Sequence, residues 1–225
     1  MEEAVGAGRL AQGANAQMAF DLQIYALRRE QGRLDEVFDV VERAVDDYPA
    51  YPVWRYVLAD VFVQVGRDEQ AARLFGSLAA DGFPLYLEMQ WLYGLALAAD
   101  VCGCLGDADA AQTLYALLRP YAGHNATLPP ELCSGSVSRG LGVLAATMSE
   151  WDAASRHFEE AMRTNGTMGA LPWLAHTQHE YARMLLARDG PADRDRAHDS
   201  VASAKALAAE LGMSALAQRI SARGL

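Results

Sequence analysis

The chain has 225 residues, 29 acidic and 19 basic side chains, and a net charge of −10. At about 150 residues per domain this allows one or two globular domains or one repeat array; with 52% hydrophobic and 21% charged residues, wholesale disorder is excluded. The acidic balance argues against a phosphate-neutralising nucleic-acid surface and against docking on anionic membranes, and no run approaches the roughly 20 apolar residues that span a bilayer.

The start, Met1-Glu2-Glu3 followed by a Gly/Ala stretch, lacks the cationic and apolar regions of a secretory signal. With three cysteines (Cys102, Cys104 and Cys133), a reducing, cytoplasmic setting is expected. Residues 1–14 read as an N-terminal tail or the remnant of a preceding repeat, and residues 15–222 as one repeat domain. Leu22, Ile24, Tyr25 and Leu27 fit one helical face. Then comes Gly32-Arg33-Leu34-Asp35-Glu36-Val37, leading to Val41 and Ala44, until Tyr48-Pro49 stops the helix. The same phrase returns from Gly66 to Ala71, Phe75 and Leu78, and from Gly106 to Ala111, Tyr115 and Leu118. It returns again from Ser149 to Ala154, Phe158 and Ala161. A weaker copy runs from Arg196 to Ala204, after Asp189-Gly190-Pro191.

The spacings are 34, 40 and 43 residues, the first being the tetratricopeptide period. The extra residues fall at Asp81-Gly82-Phe83-Pro84 and between Pro120 and Pro130, where turn chemistry is dense. Pro52, Pro84 and Pro172 stand near the starts of first helices. No segment alternates as a strand does. The reading is all-α: about ten antiparallel helices in five pairs, then a short capping helix at 214–222. The small residue five places after each glycine lets paired helices approach, and the aromatic beyond it fills the gap to the next pair. Asn125-Ala-Thr127 and Asn165-Gly-Thr167 match the glycosylation sequon, read here as chance matches in loops.

The chain holds 42 alanines, and Lys205 is its one lysine against 18 arginines. A phosphate loop needs its lysine after G-x-x-x-x-G; Lys205 follows Ser203-Ala204, so no such ATPase is present.

Four phrases carry a resemblance: Tyr25-Ala-Leu-Arg-Arg-Glu-Gln-Gly-Arg-Leu34, Leu105-Gly-Asp-Ala-Asp-Ala-Ala111, Leu118-Arg-Pro-Tyr-Ala-Gly123 and Pro172-Trp-Leu-Ala-His-Thr-Gln-His-Glu-Tyr-Ala-Arg-Met-Leu-Leu186. Together they resemble the C-terminal tetratricopeptide region of large actinobacterial signalling proteins. In those proteins such an array follows a signal-transducing ATPase, with a nucleotide cyclase or a LuxR-type DNA-binding domain in some members. The resemblance covers roughly residues 17–212. It implies a tetratricopeptide-like superhelix and a cut-out or stand-alone version of the array.

With the glycine as position 15, inward positions 2, 5, 9 and 12 carry Tyr56, Asp60, Tyr93, Asp100, Arg139, His176, His179 and Arg183 among others, including Arg29. Such a mixture suits a peptide or polar ligand. Exposed in a groove, Arg139 and Arg183 would tolerate charge reversal with little loss of stability. His176-x-x-His179-Glu180 shares one helical face, but no third metal ligand is evident. Cys102-Gly-Cys104 is a lone pair, and Ser134-Gly135-Ser136 fits no nucleophile motif.

The expected function is a non-catalytic protein-interaction module of a bacterial signalling or transcription regulator. It would bind a protein, a peptide or its own ATPase in the groove, without cofactor, metal, nucleic acid or membrane. The alternative is a helical-repeat domain that senses a small-molecule effector, as in the maltose-regulon activator. A metal-dependent enzyme using His176 and His179 ranks last. A helix at 214–222 caps the C-terminal end through Leu216 and Ile220. Residues 1–14 cover the first pair poorly, leaving a face for a preceding domain or a second copy.

Overall fold

The computed structural model describes the backbone of residues 2–84 and 90–222, and the side chains of 16–84 and 90–222. Eleven α-helices order the described residues: α1 (Glu2–Gln31), α2 (Phe38–Asp47), α3 (Val53–Gln64), α4 (Asp68–Ala80), α5 (Trp91–Leu105), α6 (Ala108–Leu118), α7 (Val137–Thr147), α8 (Trp151–Met168), α9 (Leu171–Arg188), α10 (Asp193–Glu210) and α11 (Ser214–Ala222). A 3-10 turn, Leu34–Glu36, joins α1 to α2, and a second, Arg119–Tyr121, follows α6. The result is an all-α array of five helical hairpins and one terminal helix. Each second helix lies against its own first helix and against the first helix of the next pair. None of the helices among the described residues is long and apolar enough to cross a membrane.

The repeated phrase forms the turn and the close contact of each pair. Ala71, Ala111 and Ala154 are wholly buried, as are Phe75 and Phe158 beyond them. The chain reverses at Gly32, Gly66 and Gly106 through a left-handed residue, and Ser149 takes that place in the fourth pair with φ +61°. A Cβ in this region crowds the next carbonyl by about 1–2 kcal/mol, which glycine avoids at some entropic cost. Ser149→Gly is therefore expected to stabilise the protein by about 0.5–1 kcal/mol, measurable as a higher denaturation midpoint; a lower midpoint would contradict the turn described here.

The stretch read as a plain turn insertion holds a hairpin, correcting the expectation that no strand occurs. β1 (Asn125–Leu128) pairs antiparallel with β2 (Leu132–Ser136), Thr127 opposite Cys133 and Leu128 opposite Leu132. β1 alternates over only four residues, with Ala126 and Leu128 inward, and β2 buries Ser134, Gly135 and Ser136, so apolar alternation gave too little signal to reveal the pair. β2 lies against the first helices α1, α5, α7 and α9, and also against α8. Nor are the sequons loop features. Asn125 opens β1, and Asn165 is a fully buried residue of α8. Its Oδ1 accepts from the Ser136 N–H at 2.9 Å, and its Nδ2 donates to Thr177 Oγ1 at 3.3 Å.

The terminal helix buries Leu216 and Ile220 as expected, but it does more than cap the fifth pair. α11 also packs against α1, its Ala215 backbone beside Gly32. The first and last elements of the array thus meet. The backbone is helical from Glu2 without a break into α1; how residues 1–14 cover the first pair concerns side chains outside the described residues.

Candidate functional site

Small residues first bring α5 and α7 together. A Cβ added at Gly103 would lie 2.4 Å from Val143 Cγ1, and one at Gly140 would lie 3.4 Å from the Ala99 methyl. At this separation Arg139 reaches Asp100 with two parallel bonds, Nη1 to Oδ1 at 2.7 Å and Nη2 to Oδ2 at 2.9 Å. The fork-on-fork geometry is the strong form of this contact. Burial alone would raise the Asp100 carboxyl; Arg139 and Arg29 outweigh it and hold the group below the usual range.

Arg29, near the end of α1, continues the chain of charges. Its Nε donates to Asp60 Oδ2 at 2.9 Å, and its Nη2 reaches Asp100 Oδ2 at 3.2 Å. Asp60 also accepts from the Tyr25 hydroxyl at 2.6 Å and from Gln64 Nε2 at 3.2 Å. Burial and the Asp60 charge raise the Tyr25 phenol well above its ordinary range, so it stays a donor. Glu30 accepts from Arg29 Nη1 at 3.0 Å and pairs with His176 Nε2 at 2.8 Å, across 146 residues of chain. The Trp173 ring stacks beside this belt, 5.2 Å from the Arg139 guanidinium and 5.9 Å from that of Arg29. Its indole N–H donates to the Cys133 carbonyl at 2.7 Å, tying β2 to α9.

The inner face is therefore occupied, and the expectation of an exposed groove is corrected. Asp60, Asp100, Arg139 and His176 meet in one belt; Tyr56, Tyr93 and His179 are buried beside it. Arg183 alone of the eight is half-exposed, paired with Glu180 at 2.7 Å at one mouth of the axis. The cavity between Arg29, Asp100, Arg139, His176 and Arg183 leaves only about 20 Å³ for the centres of water-sized spheres, room for a water molecule or so and too small for a peptide. The inward register included Arg29, but nothing local marked Glu30, Trp173, Asn165 or Arg219 as its partners.

Burial lowers the His176 imidazole below its ordinary value, partly offset by Glu30. Neutral His176 donates from Nε2 to Glu30, which leaves Nδ1 to accept from Arg219 Nη2 at 3.5 Å. The two histidines thus serve different surroundings: His176 bridges two charged groups, while the buried His179 Nδ1 has no hydrogen-bond partner among the described residues. Among the described residues, no group of three or more His, Cys, Asp or Glu side chains is arranged to hold a metal ion. All three cysteines are free, and burial pushes the Cys102 thiol up to about 12.

His179 sets a pH dependence. Burial pushes its imidazole down to about 4, against about 6.5 in the unfolded chain. Between these values the unfolded chain binds a proton that the folded chain refuses. Stability therefore falls as pH drops from about 6.5 towards 4, by on the order of 3 kcal/mol from this group. Urea melts across that window are expected to show the slope, and His179→Gln to flatten it; an unchanged slope in the variant would remove His179 as its source.

Compared with family models, with curated proteins and with solved structures, the chain matches none.

Proposed function

We propose that the chain is a non-catalytic, tetratricopeptide-like interaction module of a bacterial signalling or transcription regulator, and that its partner docks outside the concave axis. The observation that carries this reading is the belt itself. Arg29, Arg139, Asp60, Asp100 and Glu30 are committed to one another inside the array, so these charges act as internal fasteners and the outer helices and loops remain for recognition. An ATPase domain encoded beside or fused to such an array is the expected partner. Calorimetric titration of the chain into that domain, with nucleotide turnover followed in parallel, tests the reading. Binding that alters turnover supports it; absence of both overturns it.

A second reading, effector sensing, is favoured by one feature. A cleft of about 410 Å³ lies between the end of α1, the end of α3 and α11. That volume is within the range of small-molecule sites, and the cleft sits where the two ends of the array join.

A further inference from the structure

The seam cleft has a wall of one chemistry and a floor of another. Leu34, Val65, Ala215 and Ala222 give apolar surface, and Val65 is 39% exposed, unusual for a large apolar side chain. Arg219 supplies the cation. Unlike Arg29 and Arg139 on the same axis, it has no carboxylate oxygen within ion-pair distance among the described residues. Its contacts are neutral: Nη1 donates to Gln64 Oε1 at 3.1 Å, and Nη2 reaches His176 Nδ1. Gln64 is itself fixed at its other end by Asp60. The Arg219 Nε, like that of Arg139, is buried without a hydrogen-bond partner among the described residues. The guanidinium is half-buried and its direct acceptors are neutral; Glu30 and Glu180 lie near enough to feel its charge but form no ion pair with it, so a carboxylate can still pair with it directly. The exposed carboxylate of Asp35, on the rim, disfavours a second negative charge.

We propose that this cleft binds a small monoanion with an apolar body, a carboxylate of medium-chain size. Its head lies on the Arg219 guanidinium and its body against Leu34, Val65 and Ala215. Bound there, it touches α3, the α1–α2 turn and α11 at once, so it fastens the two ends of the array. The proposal deepens the effector-sensing reading and rests on it for what the binding accomplishes.

The test uses the full chain and octanoate as the probe, with octanol, octylamine and acetate beside it. Calorimetry is expected to show saturable binding of octanoate at millimolar concentration or below, and much weaker binding of the other three. Arg219→Gln is expected to weaken octanoate about tenfold or more. Val65→Glu, a change at an exposed site, is expected to abolish binding while circular dichroism stays native. Equal affinity for octanol and octanoate, no binding of octanoate, or indifference to both variants would overturn the site. Hydrogen exchange separates the two ideas. Octanoate is expected to slow exchange in residues 24–31 and 214–222. Binding without that slowing keeps the ligand site and overturns its sensing role; no binding overturns the site and leaves the interaction-module reading intact.

Discussion

Arg139→Glu is expected to destabilise the protein by at least about 3–5 kcal/mol, the cost of breaking a buried ion pair by removing one partner. Arg139 is 4% exposed and holds Asp100 through both terminal nitrogens. The reversal removes both bonds and sets a second carboxylate against the first. Against a total stability of about 5–15 kcal/mol, that is enough to leave much of the chain unfolded at ambient temperature. The comparison that decides the matter is Arg183→Glu. Arg183 is half-exposed, pairs within one helix turn with Glu180, and is expected to cost less than about 1 kcal/mol. Chemical denaturation of both variants checks this. Equal small losses would restore the exposed groove that the sequence suggested; equal large losses would extend the buried belt to Arg183.

Gly135→Ala is expected to cost roughly 3–5 kcal/mol. At φ +69° a Cβ is strained by itself, and here it would lie 2.6 Å from Asn165 Oδ1 and 2.7 Å from Trp173 Cβ. Moving Asn165 breaks the hydrogen bond to the Ser136 N–H that seats β2, and moving Trp173 disturbs its contact with Arg139. Gly66→Ala isolates the strain alone. Its φ is +73° with nothing within 4 Å of an added Cβ, so about 0.5–1 kcal/mol is expected, the strain less the entropy that alanine saves. Similar losses at the two sites would mean that the hairpin is not held as described.

The array was legible because its signals are local. A left-handed turn at Gly32, Gly66 and Gly106 and a methyl-sized contact at Ala71, Ala111 and Ala154 repeat in phase with the helices. The same phase placed Asp60, Asp100, Arg139 and His176 on the inner face. What could not be read was that they meet. That depends on how strongly five pairs curve, and on partners such as Glu30 and His176 that are remote along the chain. The hairpin escaped for a different reason: β2 turns Ser134, Gly135 and Ser136 inward, where Gly135 meets the Trp173 side chain and Ser136 the Asn165 amide. No hydrophobic pattern reports such burial.

The meeting of α1 with α11 bears on how this sequence can change. An open solenoid can gain or lose a unit, because each hairpin touches only its neighbours. Here the unit count is part of the fit. Removing one hairpin would shorten the arc and carry His176 away from Glu30, and adding one would carry α11 past Gly32. Insertions are accommodated instead within the turns, as between Pro120 and Pro130, where the added length folds inward as β1 and β2, with β2 against α1, α5, α7, α8 and α9.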